Sequence, residues 1–418
     1  MVHHETPPAS PYMEEVVEEI DDDAGVIGDV EIVEDYEVEE DGIEDGGEQM
    51  ADEDGDIMEM MEREDAIVVF DKHTNSVFCG SLSKNGQYAV TGGQDDKAYV
   101  WSTSTGELIL TAADDKESII FADFSYDDQY LATGDMNGLI RVRKTLDWSI
   151  VWSDNSMGDA TWMQWHPVAH VVIAGSESGE LYMWKITDGE CKVIQSFGQK
   201  PDVSCIMPDG RRIVVGYNDG VIRLIDLKSC SVISTITSNM GHTSAITSID
   251  CHLDNNIILS AGVDGKTIVS SANTGKIISI LQDLKGNSTN DEKDEEVSEA
   301  SGNWIETIAF QKDVSQIAAS GTISGDIFIW DIARKILRHK LNQGSGISKI
   351  VWKEKSTLFF TAGLDGILRC FDSRSGECLR TLLGHTDDIL DLCISKDGKK
   401  ALTVSEDKSA RVFDIELP

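Results

Sequence analysis

Two sets of side chains in this sequence combine a histidine, a threonine and an aspartate at matching intervals. The sets are His73, Thr91, Asp95 with Trp101, and His385, Thr403, Asp407 with Phe413. A histidine held by a carboxylate beside a hydroxyl is the arrangement of triad hydrolases, so acyl transfer is one interpretation. The other is a buried hydrogen-bonded relay that fixes a loop between two sheets, because buried polar groups are normally paired. In both sets the aspartate lies six residues before the aromatic residue, at the place of a turn. We therefore favour a structural relay.

Other patterns that carry chemistry are missing from the sequence. There is no phosphate-binding loop, no HExxH sequence and no cluster of histidine, cysteine and aspartate with metal-ligand spacing. The segment Gly175-Ser-Glu-Ser-Gly179 has Glu177 where a nucleophile elbow needs serine. The eight cysteines form no CxxC pair, which favours reduced thiols over disulfides or zinc ligands. We predict no metal, no cofactor and no enzymatic activity.

A repeat of about 40 residues must position these side chains. Its last copy, Gly384 to Asp414, opens with Gly-His and closes with Phe-Asp, and it holds three β-rich runs separated by turn residues. The position of Phe413 recurs upstream at Phe371, Trp330, Ser270, Ile225, Trp184, Arg143 and Trp101. The intervals are 42, 41, 60, 45, 41, 41 and 42 residues. Four strands and their turns need about 40 residues, so the pattern predicts an all-β, eight-bladed WD-repeat β-propeller.

The two ends of the repeat region complement each other. A spare β-run, Ala66 to Phe70, precedes the first copy, whereas the last copy ends after three strands. We predict that Ile67 to Phe70 supplies the missing strand of the eighth blade, since this closes the ring without leaving a sheet edge exposed.

The charge of the chain is strongly negative and unevenly distributed. The whole sequence carries a net charge of -40, of which residues 1–65 contribute -26 and residues 66–418 contribute -14. Segment 1–65 has too little apolar content to offset the entropy of ordering, so we predict a disordered acidic arm before a propeller over 66–418. Residues 283–303 are polar and acidic, and they predict a disordered insertion between blades five and six. Such a chain repels nucleic acid and anionic membranes and attracts basic polypeptides.

No signal peptide and no window of 18 apolar residues is present, which favours a cytoplasmic protein without a transmembrane segment. We also expect a monomer. Within the arm, Met13 to Ile20 and Val30 to Val38 alternate acids with aliphatic residues and could dock on a basic or apolar groove. A solvated tail that keeps the protein in solution is the simpler interpretation.

The charges are also sorted between the two faces of the predicted ring. In a propeller the loops from strand d to the next strand a, and from b to c, lie on one face, and these loops are rich in carboxylates. We predict a partner-binding acidic face formed by Asp96, Asp115, Glu117, Asp135, Asp159, Trp162, Glu177, Asp202, Asp387, Asp388 and Glu406. Carboxylates that serve only solubility are the alternative, and for Trp162 a core position is favoured over a partner contact. The opposite face is mixed to basic.

Several segments resemble the angio-associated migratory cell protein family of animals. They include AVTGGQDDKAYVW, LATGDMNGLIRV, WMQWHP, PDGRRIVVGYNDGVIRLIDLK and LDGILRCFDSRSGECL, and the resemblance extends over essentially the whole chain. Arg143 and Ser270 depart from the pattern where an aromatic residue is usual, which weakens the relay in two blades.

That family is similar to a fungal WD-repeat chaperone of a late-joining large-subunit ribosomal protein, eukaryotic number ten of the universal L-sixteen class. The resemblance implies that the acidic face holds the basic N-terminal segment of this ribosomal protein, shields it from RNA and aids 60S assembly. A scaffold or adaptor in cell migration and signalling is the alternative function.

Overall fold

The computed structural model describes residues 63–113, 117–284, 303–313 and 315–416. Within these ranges the regular elements are 32 β-strands, arranged as eight antiparallel sheets of four strands each. Each sheet is one blade, and its strands a to d run from the innermost to the outermost position. The predicted eight-bladed WD-repeat propeller is therefore confirmed.

The strands are as follows, blade by blade. Blade 1 contains β2 (Val77–Leu82), β3 (Tyr88–Gly93), β4 (Ala98–Ser102) and β5 (Leu108–Ala112). Blade 2 contains β6 (Ile119–Phe124), β7 (Tyr130–Asp135), β8 (Ile140–Lys144) and β9 (Ile150–Asp154). Blade 3 contains β10 (Ala160–Trp165), β11 (Val171–Ser176), β12 (Leu181–Lys185) and β13 (Glu190–Ile194). Blade 4 contains β14 (Pro201–Ile206), β15 (Arg212–Tyr217), β16 (Ile222–Asp226) and β17 (Ser231–Ile236).

The second half of the ring repeats this plan. Blade 5 contains β18 (Ile246–Cys251), β19 (Ile257–Gly262), β20 (Lys266–Ser271) and β21 (Ile277–Asp283). Blade 6 contains β22 (Ile305–Phe310), β23 (Ile317–Thr322), β24 (Asp326–Asp331) and β25 (Ile336–Asn342). Blade 7 contains β26 (Ile347–Trp352), β27 (Leu358–Gly363), β28 (Leu368–Asp372) and β29 (Cys378–Leu382). Blade 8 contains β30 (Ile389–Ile394), β31 (Lys400–Ser405), β32 (Ala410–Asp414) and, as its outermost strand, β1 (Val68–Phe70).

The repeat position found in the sequence has one structural role in all eight blades. It lies in strand c and faces the second residue of strand b, for example Trp101 opposite Ala89 and Arg143 opposite Leu131. Ser270 opposite Ile258 keeps the same register without an aromatic ring. The register of the ladder, rather than the residue type, therefore defines the repeat.

The ring closes as the sequence predicts. Strand β1 pairs antiparallel with β32, with Val68 opposite Val412 and Phe70 opposite Ala410. Phe70 is 1% exposed, and its ring stacks on Trp101 of blade 1 with centroids 4.9 Å apart. The closing strand thus joins the last blade to the first through both backbone hydrogen bonds and core packing.

The hydrophobic core consists of clusters shared by neighbouring blades. The cluster between blades 8 and 1 contains Phe70, Trp101 and Val404, and each further cluster bridges the next junction. Small residues in strand b let the next blade approach closely, since a Cβ atom at Gly92 would lie 2.4 Å from Ile119 Cγ2. The Thr-Gly-Gly sequence of β3 thus reflects contact between blades as well as the turn that follows.

The edges of the predicted arm and insertion differ from the structure. Glu64 accepts a hydrogen bond from Arg411 at 3.0 Å, and the Asp65 amide donates to Leu383 at 2.9 Å, so both residues belong to the propeller. Asp283 pairs with Lys266 in blade 5, and Asn303 accepts a hydrogen bond from Ser324. The disorder predicted for residues 1–62 and 285–302 concerns positions outside the described residues.

Candidate functional site

The loops that carry the predicted carboxylates lie on one face of the ring. Each strand a begins on this face and ends on the opposite one, so the d-to-a and b-to-c loops of all blades share it. We define the acidic face by its described carboxylates that are exposed or partly exposed: Asp96, Glu117, Asp159, Glu177, Asp202, Asp387, Asp388 and Glu406. They come from blades 8, 1, 2, 3 and 4, which are consecutive around the ring. Asp115 lies outside the described residues.

The part of the acidic face on blade 8 holds three carboxylates in two adjoining loops. Asp387 is exposed, and its carboxylate accepts a hydrogen bond from the Asp388 amide at 3.0 Å. The Glu406 amide donates to the Asp388 carbonyl at 3.0 Å, which holds the b-to-c loop against the d-to-a loop. Burial, together with the charges of Asp387 and Asp365, raises the pKa of Asp388. Like charges are therefore concentrated at this position.

A second group lies on blades 1 and 2, and it corrects one prediction. Asp135 is 1% exposed and accepts a hydrogen bond from the Leu139 amide at 2.9 Å, so it stabilises a turn and cannot contact a partner. Burial and the charges of Glu117 and Asp96 raise its pKa. Those two carboxylates remain at the surface close to it, and they form the accessible part of this group.

Blades 3 and 4 contribute a more mixed set. Glu177 forms an exposed ion pair with Lys200 at 3.1 Å, and its amide donates to the Asp159 carbonyl at 2.9 Å. Burial raises the pKa of Asp202 at the start of strand β14, beside the channel opening. Trp162 is partly buried against the core cluster between blades 3 and 4, so its position matches the core alternative rather than a partner contact.

The structure brings the predicted relay residues together. His73 Nδ1 lies 3.0 Å from Asp95 Oδ1, and His73 Nε2 lies 2.9 Å from Thr91 Oγ1, which accepts a longer bond from Trp101 at 3.4 Å. The Asp95 carboxylate also accepts the Thr74 amide at 3.0 Å. The side chains of His73 and Asp95 are 0% and 2% exposed, so a substrate has no access to them. The geometry is that of a loop anchor.

Blade 8 repeats this anchor and adds charged partners. His385 lies 2.8 Å from both Asp407 and Thr403, and Arg411 donates to Asp407 at 2.9 Å. Burial lowers the pKa of His385. The pKa of Asp407 is below its usual range, because hydrogen bonds from His385 and Ser409 and the charge of Arg411 outweigh burial.

Blade 5 has a relay in which serine replaces threonine. His242 contacts Asp264 at 3.0 Å and Ser260 at 2.9 Å, and the Asp264 carboxylate accepts the Thr243 amide. Ser260 takes the place of the threonine, and Ser270 stands where the aromatic residue is missing. A serine thus makes the bond of the threonine in this blade, while the aromatic member of the set is absent.

Sequence reasoning missed a group of charged side chains that line the central channel. Asp391 accepts the Gly80 amide of the next blade at 3.1 Å and binds Lys349. Asp250 accepts the Phe310 amide at 2.8 Å and pairs with Lys312 at 2.7 Å. Each carboxylate therefore joins two blades at the innermost strand. A charged residue inside an otherwise apolar strand, as in ILDLCI of β30, was the available signal.

Asp123 is the channel carboxylate with the least favourable surroundings. It accepts hydrogen bonds from Ser81 and from the Phe124 amide, yet burial raises its pKa to about 6. A folded-state pKa above the unfolded value means that the folded protein holds a proton more tightly between about pH 4 and pH 6. Its contribution to stability is therefore lost as the pH rises through this window.

We expect the substitution Asp123→Asn to abolish this pH dependence. The amide keeps the acceptor for Ser81 but carries no charge. The free energy of unfolding of the variant relative to that of the wild type should therefore rise by about 1 to 3 kcal/mol as the pH increases from 4 to 7. Urea unfolding of both proteins at half-unit pH steps measures the difference. A constant difference across this window would contradict the assignment.

Among the described residues, no three histidine, cysteine, aspartate or glutamate side chains are grouped so that they could hold a metal ion. All eight cysteines are free thiols, and two of them, Cys191 and Cys378, are exposed rather than buried. No helix within the described ranges is long and apolar enough to cross a membrane.

Comparison with known proteins places this geometry in a family. The model of the WD domain, G-beta repeat, matches residues 65–102, 191–226, 232–269 and 376–414. The chain is similar to the angio-associated migratory cell protein of Homo sapiens, with 40% identity over 85% of this chain and 81% of that protein. The chain belongs to the angio-associated migratory cell protein family.

This family has more distant relatives with the same fold. The ribosome assembly protein SQT1 of Saccharomyces cerevisiae is 22% identical over 90% of this chain and 93% of that protein. The crystal structure of Chaetomium thermophilum Sqt1 bound to the N-terminus of the ribosomal protein L10 superposes with a TM-score of 0.73 at 20% identity, covering 84% of this chain and all of that one. At this level of identity the likeness shows a shared propeller fold. The WD model describes a structural repeat rather than a catalytic activity.

Proposed function

We propose that this member of the angio-associated migratory cell protein family is a dedicated, non-enzymatic chaperone of a late-joining large-subunit ribosomal protein. Its acidic face holds the basic N-terminal segment of eukaryotic ribosomal protein ten, of the universal L-sixteen class. The complex forms in the cytoplasm with one copy of this chain, involves no direct contact with nucleic acid, and aids assembly of the 60S subunit.

One observation carries this proposal. The carboxylates of five consecutive blades lie on the same face. Burial and the charges of Asp387 and Asp365 raise the pKa of Asp388, and burial raises the pKa of Asp202. A ligand with lysine and arginine side chains relieves that repulsion, so binding is favoured for a basic polypeptide. The relative whose structure contains the L10 N-terminus has the same fold, which supports this choice of ligand.

The mechanism that follows is electrostatic shielding. Before assembly, the basic segment would bind any exposed phosphate backbone, because its charge is attracted to RNA regardless of sequence. Pairing with the carboxylates of the acidic face neutralises the segment and removes it from solution. Release requires only that ribosomal RNA offers a more complete set of negative charges at the assembly site.

A titration at two ionic strengths tests the proposal. The full chain is titrated against the labelled N-terminal peptide of ribosomal protein L10 in 0.1 M and 1 M salt. Since the screening length falls from about 10 Å to about 3 Å over this range, we expect the affinity to fall roughly 10-fold or more. A peptide of the same composition in scrambled order is the control for specificity.

The outcomes are distinct. Salt-sensitive binding of the authentic peptide above that of the scrambled one supports the chaperone. Absence of binding at 0.1 M salt would contradict it and favour the alternative, a protein-interaction scaffold or adaptor in cell migration and signalling. Equal binding of both peptides would indicate only a general affinity for basic chains.

A further inference from the structure

The face opposite the acidic face contains a hollow at the end of the central channel. It has a volume of about 270 Å³ and lies where the innermost strands of blades 8, 1 and 2 end. Its apolar lining comes from the last residues of those strands, Ile394, Leu82 and Phe124. Tyr126 forms part of the rim, is 40% exposed, and stacks on His170 with centroids 5.3 Å apart.

Lysines surround this hollow on three consecutive a-to-b loops. Lys84 of blade 1 and Lys396 of blade 8 line it directly, and Lys353 and Lys355 lie on the adjoining loop of blade 7. Within the described part of the chain, none of these four ammonium groups forms an ion pair with a carboxylate. By contrast, Lys312 on the equivalent loop of blade 6 is paired with Asp250.

The acidic residues at the rim are few and mostly engaged. Asp128 accepts a hydrogen bond from the Lys84 amide at 2.9 Å, and the neighbouring Asp127 pairs with His170 at 3.0 Å. Glu354 is the remaining carboxylate in the lining, and it is exposed. The two lysines in the lining are matched by Asp128 and Glu354, and Lys353 and Lys355 beside it add two more positive charges. The hollow therefore combines an apolar floor with a small excess of positive charge around it. The matching ligand is a peptide that has an aliphatic or aromatic side chain flanked by carboxylates.

We propose that this hollow is a peptide-docking site and that its occupant is residues 30–38 of the same chain. This segment reads VEIVEDYEV, so it offers four carboxylates interleaved with valine, isoleucine and tyrosine side chains. A small anion would use the lysines alone and leave the apolar floor exposed. The segment uses both.

The position of the chain and its charge favour this occupant. The described chain resumes at Arg63, and Glu64 and Asp65 contact Arg411 and Leu383 at the junction of blades 7 and 8, next to the blades that form the hollow. About 25 residues separate Val38 from Arg63, which span up to about 80 Å when extended. A blade built on strands of five to six residues is only about 20 Å thick. The acidic face repels the segment, whereas the lysine rim attracts it.

Docking in cis needs little intrinsic affinity. A segment tethered through a linker of this length is present at an effective concentration on the order of 1 mM. A free copy of the peptide must compete against that concentration. The test below uses this competition, because it distinguishes the arm of this chain from an acidic segment of another protein.

Fluorescence anisotropy of a labelled peptide with the sequence of residues 28–40 is measured against four versions of the full chain. They are the wild type, the variant Ile32→Ser/Val33→Ser/Tyr36→Ser, and that variant combined with either Lys84→Glu/Lys396→Glu or Lys144→Glu/Lys228→Glu. The triple serine variant keeps the charge of the arm and removes only its apolar side chains. Lys144 and Lys228 are exposed lysines toward the rim of the same face and give a matched change of charge.

We expect the peptide to bind the triple serine variant at least 10-fold more tightly than the wild type, because the hollow has been vacated. Adding Lys84→Glu/Lys396→Glu should abolish this binding, and adding Lys144→Glu/Lys228→Glu should leave it within twofold. Equal affinity for the wild type and the serine variant would overturn the proposal, since the hollow would then be open to another protein. Failure to bind either protein, or binding that survives Lys84→Glu/Lys396→Glu, would also overturn it.

Discussion

Reversing the charges of Asp387, Asp388 and Glu406 to lysine is expected to weaken binding of the basic ribosomal-protein segment by about 100-fold at 0.1 M salt. Each reversal replaces an attraction with a repulsion worth on the order of 1 kcal/mol at a partly exposed site, and each 1.4 kcal/mol corresponds to tenfold in affinity. The three residues lie in two adjoining loops, which are held together by the hydrogen bond from the Glu406 amide to Asp388. They therefore act on the same part of a bound peptide.

The matched control for this variant reverses three glutamates on the opposite face. Glu107, Glu190 and Glu377 are exposed and lie at or just before the start of outermost strands, so the triple lysine variant changes the net charge by the same amount. Isothermal titration calorimetry of both variants with the L10 peptide measures the difference. If the control loses as much affinity as the reversal on the acidic face, binding responds to total charge and the proposed face is wrong.

Truncating the closing strand at Phe70→Ala is expected to destabilise the propeller by about 3 to 5 kcal/mol. The side chain is 1% exposed and packs between Trp101 and Tyr99, with ring centroids 4.9 Å and 5.6 Å from its own. Its loss leaves a cavity at the one junction where the two ends of the chain meet. The short three-residue strand then has only its backbone pairing with β32 to hold it.

Val69→Ala on the same strand is the control, because Val69 is 40% exposed and points away from this cluster. We expect it to cost less than about 0.5 kcal/mol. Denaturant unfolding, followed by tryptophan fluorescence, reports both variants. If the two substitutions lowered the free energy of unfolding equally, the packing of Phe70 would not be what stabilises ring closure.

The sequence predicted the ring because the repeat depends on backbone register. Trp101, Arg143 and Ser270 differ in every chemical respect, yet each faces the second residue of strand b. Spacing is preserved even where the aromatic side chain is lost, so counting intervals found all eight blades. The role of the closing strand followed from the same count. One strand was left over before the first blade, and the last blade lacked one strand.

The sequence could not determine which carboxylates on the acidic face are accessible. Asp135 and Asp96 both lie beside b-to-c turns, but Asp135 is the last residue of strand β7 and turns inward to accept the Leu139 amide, whereas Asp96 stays partly exposed. The direction of a side chain at a strand end depends on the turn that follows. The charged residues of the channel were missed for a related reason, because only the closed ring brings the innermost strands of neighbouring blades together.

The pairing of β1 with β32 also determines when the ring can close during translation. The two strands are separated by about 340 residues, which take roughly 20 to 70 s to translate at about 5 to 20 residues per second. During that interval the first strand has no partner, and seven blades can form beside an open gap. The carboxylates of blade 8 join those of blades 1 to 4 only when the last strand leaves the ribosome. A complete acidic face is therefore a property of finished chains alone.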